Sequence, residues 1–188
     1  MKLLWASLAL LIAAGCQQQT TPPVKVETDT SPRERVDFVV GQQRNFTLSF
    51  LDKRSVVNTG ELPMPKGFGG PDKPIVFYPA LTKQRLADFS PRVGSFLDST
   101  DFKRMSIIIL VKDARQVLKG SLLSKQQEAK VELEVHMRNG QHASQAQGLC
   151  EKSRSSIDAS LAAINALYNE TFGCAVDHAL QRLAKSLN

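Results

Sequence analysis

Alternation of apolar and polar residues predicts strands in the first half of the chain. Apolar side chains occupy every second position over residues 36–40 and 46–50, the period of a half-buried strand, and Asp52-Lys53-Arg54 ends the second run. Ile75–Tyr78 predicts a further short strand. Ile107–Val111 is a run of five apolar residues, four of them β-branched, which favours a strand covered on both faces.

A β-hairpin is the clearest local prediction. Apolar and charged residues alternate over residues 131–138, Asn139-Gly140 follows, and a polar segment then runs from Gln141 to about Leu149. Asn-Gly is typical of a type I′ turn, which needs positive φ at both central residues. We expect the second strand, which is short of large apolar side chains, to lie near an edge of the sheet.

Helical spacing of apolar residues appears first over residues 81–97. Pro79 suits the first turn of that helix, where its missing N–H costs nothing. Pro91 lies inside the pattern and predicts a break near Phe89 or Ser90.

A second helix is predicted at the C-terminus, with Ser155 as its N-cap. One apolar stripe runs over residues 157–172, and a second stripe over residues 176–187 is rotated from it by roughly 70° at 100° per residue. We therefore expect a kink or break near Gly173. The predicted fold class is α+β: a mostly antiparallel sheet of four or five strands with helices packed on one face.

The N-terminus has the order of a bacterial lipoprotein signal. Lys2 precedes an apolar run that is too short to span a membrane comfortably, and the run ends in Ala13-Ala14-Gly15-Cys16, which resembles a lipobox. We therefore expect residues 1–15 to be removed, Cys16 to carry the lipid, and residues 16–34, rich in polar residues and proline, to form a flexible tether. Residues 35–188 are predicted to form one periplasmic domain.

Gln17 follows the predicted lipidated cysteine, where inner-membrane lipoproteins characteristically have aspartate, so the resemblance implies the periplasmic face of the outer membrane. The net charge of the whole chain is +6, and acidic residues are interleaved with basic ones. We expect no nucleic-acid partner for an exported protein, whereas anionic headgroups and cell-wall polymer remain compatible with this charge.

Cys150 and Cys174 are the two further cysteines. In an oxidising periplasm they can form a disulfide, and the alternative is two partly buried free thiols.

No residue pattern predicts catalysis, a cofactor or a metal site. His136 and His142 are placed to face each other across the hairpin, but a metal normally needs three or four ligands, so we interpret them as solvated strand residues. Glu132 and Glu134 share one face of a strand, where paired carboxylates are usually solvated. Asp52 and Arg54 are interpreted as an exposed structural ion pair or turn cap.

The order of these segments resembles the YajG-type lipoproteins of the bacterial outer membrane. The resemblance rests on the lipobox, the Asp52-Lys53-Arg54 segment after a strand, the strands over residues 105–111 and 130–138, and the hairpin before a serine-rich segment and final helix. It implies a lipid-anchored α+β protein and no catalytic residues.

Two hypotheses of function follow. The first is a non-catalytic interaction or assembly factor that meets an envelope protein partner and reaches the membrane through its lipid anchor. The alternative is a binding module for a small or polymeric envelope ligand, such as a cell-wall fragment or lipid, held by the sheet face or by the basic loop that contains Lys66 and Lys73. Crosslinking to a protein partner in cells tests the first hypothesis, and retention of the protein on cell wall or lipid tests the second.

Overall fold

The computed structural model describes residues 35–58, 62, 73–101, 104–120, 125–140, 142–156 and 160–187. The predicted signal segment, the predicted lipidation site Cys16, the predicted tether and Lys66 lie outside the described residues.

Six strands in the described part of the chain form one mixed, mostly antiparallel sheet, so the predicted α+β class is confirmed. They are β1 (Val36–Val40), β2 (Phe46–Asp52), β3 (Ile75–Phe77), β4 (Met105–Gly120), β5 (Lys125–Asn139) and β6 (His142–Ser156). Their order is β1-β2-β4-β5-β6. The β2–β4 pair is parallel, and β3 pairs with the far end of β4, beyond the end of β2.

Three helices accompany this sheet: α1 (Lys83–Ala87), α2 (Ser90–Asp98) and α3 (Leu161–Leu187). The predicted break near Ser90 is confirmed, and Pro91 lies in the first turn of α2. The prediction that Pro79 opens a helix is wrong, because the Pro79 carbonyl accepts a hydrogen bond from Arg54 and α1 begins only after Thr82.

The sheet buries one face against the helices. Ile107, Ile109 and Val111 of β4 are fully buried, whereas Ile108 and Leu110 between them are partly exposed. The prediction that this run is covered on both faces is therefore wrong. Successive residues of a strand point to opposite faces, and the described helices cover only one of them.

The core between the sheet and the helices is centred on aromatic side chains. Phe172 of α3 stacks on Phe89 with ring centroids 4.5 Å apart, and it also contacts Phe50 of β2 and Tyr168 of α3. All four side chains are buried. These contacts join α3 to the loop before α2 and to the sheet.

Helix α3 is continuous through Gly173, so of the two predicted alternatives, a kink or a break, the break is wrong. Gly173 instead makes room for another side chain: a Cβ there would lie 3.2 Å from the Arg92 guanidinium carbon. Most of the described apolar residues in both stripes are buried, because α3 packs against the sheet and also against α2. The predicted N-cap of α3 is also wrong, because Ser155 belongs to β6. Ser160 caps the helix instead, and its Oγ accepts a hydrogen bond from Ala163 N–H.

The predicted hairpin is confirmed, with a turn one residue later than expected. β5 and β6 pair from Lys125 with Ser156 to Asn139 with His142, so Asn139 is the last paired residue of β5. Gly140 has a φ of 56°, and within the described residues Arg44 is the only non-glycine residue with a positive φ. Strand β6 lies at an edge of the sheet, as predicted.

Candidate functional site: the open face of the sheet

The face of the sheet opposite the helices is called the open face here. Its central residues come from three neighbouring strands and are Ser106, Ile108, Leu110, Glu132, Glu134, His136, Gln145, Gln147 and Leu149. Leu149 is 49% exposed, unusual for a large apolar side chain. The open face therefore combines a few aliphatic side chains with a surround of polar and charged groups.

A cavity of about 500 Å³ lies on the open face beside the β5–β6 hairpin. Ile108 and His136 contribute to its lining from the centre of the sheet, and Arg35, Ser106 and Arg138 contribute from its rim. The volume falls within the range of small-molecule sites. Arg138 beside an aliphatic side chain suits an anionic ligand that also has an apolar part, whereas Arg35 is already paired with Asp37.

Arg35 is held in place by a network that joins the start of β1 to β2. Its Nε lies 2.7 Å from Asp37 Oδ1, and its Nη2 donates to Ser49 Oγ at 2.7 Å. Ser49 Oγ in turn donates to Asp37 Oδ1 at 2.5 Å. The pKa of Asp37 lies below its ordinary value, mainly because the Ser49 hydroxyl donates a hydrogen bond to the carboxylate and, to a smaller extent, because Arg35 does so. The network holds Arg35 at the cavity. In the sequence, Arg35 directly follows the predicted tether.

Glu134 forms a second polar group on the open face. Lys112 Nζ lies 3.2 Å from Glu134 Oε2, and His136 Nε2 lies 2.8 Å from Glu134 Oε1. The Lys112 hydrogen bond and the nearby His136 lower the pKa of the Glu134 carboxyl, which stays ionised. Glu132 shares this face with Glu134, as predicted from their spacing.

The two histidines of the hairpin do not face each other. His136 is paired with Gln145 and His142 with Asn139, an offset of three residues that puts the imidazoles on opposite faces of the sheet. Within the described residues, no group of three or more histidine, cysteine, aspartate or glutamate side chains is placed to hold a metal ion.

Asp52 and Arg54 form a buried ion pair, so their expected exposure is wrong. Arg54 Nη2 lies 2.6 Å from Asp52 Oδ2, and Arg54 also donates to the carbonyl oxygens of Ala114 and Pro79. The guanidinium group lies beside β4 between the end of β2, where Asp52 pairs with Val111, and the end of β3, where Phe77 pairs with Gln116. Burial of this pair depends on contacts between residues about 25 and 60 positions apart, so local sequence could not reveal it.

Cys150 and Cys174 form a disulfide that ties edge strand β6 to helix α3. The structure thus supports the bridged alternative. His178 and Arg182 follow Cys174 on the same side of α3: His178 Nδ1 lies 2.9 Å from the Leu149 carbonyl oxygen, and Arg182 Nη1 donates to the Gln147 carbonyl oxygen at 2.9 Å. Because a carbonyl oxygen only accepts, the His178 Nδ1 carries the proton.

Comparisons of the chain with protein-family models, with curated proteins and with solved structures found no match. None of the described helices is long and apolar enough to cross a membrane.

Proposed function

We propose that this protein is a lipid-anchored periplasmic envelope protein that acts as a non-catalytic interaction or assembly factor. The observation that carries the proposal is the open face of the sheet, which the described helices leave uncovered. Ile108, Leu110 and the exposed Leu149 lie there among charged and amide side chains. Aliphatic side chains surrounded by a polar rim are typical of protein interfaces.

The envelope location is supported by two independent observations. The N-terminal residues have the order of a lipoprotein signal that ends at Cys16. The disulfide between Cys150 and Cys174 is typical of proteins that mature in an oxidising compartment. The 18 residues that follow Cys16 in the predicted tether (17–34), at roughly 3.3 to 3.6 Å per residue, would allow a reach of about 60 Å from the lipid.

Photo-crosslinking in cells tests the interaction directly. A benzophenone amino acid replaces Leu149 on the open face or, as the matched control, Gln181 on the exposed side of α3. We expect one dominant protein adduct from position 149, which the additional substitution Ile108→Lys abolishes, and no such adduct from position 181. Equal labelling from both positions, or no adduct from position 149, would contradict the proposal.

A second candidate function is a binding module for an anionic cell-wall fragment or lipid. The cavity beside Arg35 and Arg138 is the observation that favours it. The full acylated chain, solubilised in detergent, should then sediment with isolated cell wall, and Arg138→Ser should reduce the bound fraction. Lys185→Ser, which removes an exposed cation from α3, is the control of equal charge. Equal loss with both variants would indicate non-specific attraction only.

A further inference from the structure

The two edges of the sheet differ in how they are covered. At the β6 edge, the carbonyl oxygens of Gln147 and Leu149 accept hydrogen bonds from Arg182 and His178, and a disulfide holds α3 beside the strand. At the other edge, β2 is the only strand of the described chain hydrogen-bonded to β1. An uncovered edge strand offers a row of backbone donors and acceptors to another chain.

A groove of about 290 Å³ lies beside the edge of β1 that no described strand covers. We call it the edge groove, and its lining includes Val39, Val40, Arg44, Pro91, Gly94 and Ser95. Neighbouring residues of a strand point to opposite faces, so a groove that contacts both Val39 and Val40 crosses the backbone edge itself. Helix α2 forms the second wall.

The wall formed by α2 is built from small residues. A Cβ at Gly94 would lie 3.1 Å from the backbone nitrogen of Gly41, so the glycine lets α2 approach the end of β1 closely. Ser95 is exposed and lines the groove. Val39, on the strand side, is 62% exposed, the largest exposed fraction among the large apolar side chains of the described chain. The groove therefore has room for an apolar side chain from outside.

Two groups of opposite charge, Arg44 and Asp98, line the end of the groove. Asp98 is engaged, since both its carboxylate oxygens accept from Gln42 N–H, at 2.9 and 3.0 Å. Arg44 makes no ion pair within the described residues, and its φ of 53° is one that arginine rarely adopts. An arginine held at this position complements an acidic group on whatever occupies the groove.

We propose that the edge groove binds an extended peptide segment of a protein partner, which adds to β1 as a further strand. Backbone hydrogen bonds to β1 supply affinity, and one apolar side chain in the groove together with an acidic side chain beside Arg44 supplies selectivity. The inference rests on the proposed function only in taking the partner to be a protein, because it uses the β1 edge of the sheet and not the central strands β4 to β6 of the open face.

The test uses the full acylated chain in detergent and a displayed library of random linear peptides as the probe. We expect enrichment of peptides that alternate apolar residues and contain an acidic residue. The substitutions Val39→Lys and Ser95→Trp, both at exposed positions, should each lower the affinity for an enriched peptide by about tenfold or more. Val76→Lys on β3 is the matched control, because Val76 is 40% exposed and lies outside the groove, and it should leave affinity unchanged.

A second measurement keeps the effects on folding and on binding separate. Arg44→Gly removes the charge and relieves the left-handed backbone, so this variant should resist denaturation at least as well as the parent chain while binding acidic peptides less tightly. Bound peptide should also slow amide hydrogen exchange in β1.

Three results would overturn the inference. They are the absence of enriched peptides, affinity that Val39→Lys and Ser95→Trp leave unchanged, and self-association of the free chain that Val39→Lys abolishes. The last result would assign the edge to a second copy of this chain. Crosslinking from position 149 is unaffected by any of these outcomes, so failure of the inference is distinguishable from failure of the proposed function.

Discussion

A Cβ atom added to Gly148 would lie 1.9 Å from the carbonyl oxygen of Ala175, so strand β6 and helix α3 meet backbone to backbone at this point. The same atom would lie 3.1 Å from the Cβ of Ala179. Small residues on both elements thus bring the helix close enough for the Cys150–Cys174 bridge and for the side chains that cover the edge of β6.

Gly148→Ala should therefore be strongly destabilising. The added methyl group meets backbone atoms that cannot move aside, and we expect the free energy of unfolding to fall by about 3 kcal/mol. Urea denaturation with the disulfide intact measures the change. Gly140→Ala is the control: its Cβ would meet nothing within 4 Å, and the left-handed backbone alone should cost about 1 kcal/mol. Equal losses in the two variants would contradict the backbone contact.

Loss of the disulfide should destabilise the fold without changing its secondary structure. The bridge closes a loop between residues separated by 24 positions, for which chain entropy predicts roughly 3 to 4 kcal/mol. The double variant Cys150→Ser, Cys174→Ser and the reduced parent chain should unfold at the same lower denaturant concentration. Reductant should have no effect on the double variant. A parent chain whose unfolding is insensitive to reductant would show that the thiols are not joined.

Tyr168→Phe should stabilise the protein. The Tyr168 hydroxyl is buried and has no hydrogen-bond partner among the described residues, so its removal should raise the free energy of unfolding by about 1 kcal/mol. Thr171→Val one turn along α3 is the control, because Thr171 donates to the Leu167 carbonyl oxygen at 2.7 Å. That variant should lose stability. A loss in Tyr168→Phe as well would indicate that the hydroxyl has a partner.

The same residue should titrate at unusually high pH. Burial raises the pKa of Tyr168 to about 12, although Arg54 and Arg85 oppose the shift. Because the folded pKa lies above that of an unfolded tyrosine, about 10, stability should decline as the pH rises from about 10 through 12. Ultraviolet absorbance follows the ionisation, and Tyr168→Phe should remove this late step. A titration curve unchanged by the substitution would contradict the burial.

Glu134 should contribute to loss of stability in acid. Lys112, and then His136, lower the pKa of this carboxyl in the folded state. Its contribution is fully present above the pKa of an unfolded glutamate, about 4.3, and is lost as the pH falls through the lower folded value. Glu134→Gln should make the free energy of unfolding depend less on pH below about 4.3, in denaturation experiments from neutral pH to strong acid. Glu132→Gln, on the same face, is the control, and an equal effect from it would contradict the Lys112 contact.

Strand positions could be predicted from the sequence wherever a single period dominates. Residues 46–50 and 131–137 alternate strictly and residues 36–40 have an apolar residue at every second position, because one side of each strand packs on the core, and all three are strands in the structure. The lengths of β4 and β6 could not be predicted in the same way. β4 continues to Gly120 through a register shift between Val111 and Asp113, and β6 continues to Ser156 because β5 beside it is equally long.

The candidate surfaces were less predictable than the strands. The notable features of the open face, Arg35 beside Arg138 and Ile108 beside His136, bring together residues from different strands. The edge groove depends on how closely α2 packs against the end of β1. The sequence contains Gly41 and Gly94, but it does not indicate that these two glycines meet. Neither surface has a short motif, because binding by shape and backbone groups needs no fixed spacing of side chains.

Sequence alone was enough to predict the spacing of apolar residues in each strand and helix, the edge position of the polar strand, two cysteines available for pairing and a lipoprotein-like N-terminus. Each of these features is local, since it depends on residues within one turn, one strand or one short segment. The burial of Arg54 with Asp52, the space that Gly173 leaves for Arg92 within a continuous helix, and the close approach of α3 to Gly148 became evident from the folded chain alone. Those outcomes depend on the space and charge that distant segments supply, which no local pattern records.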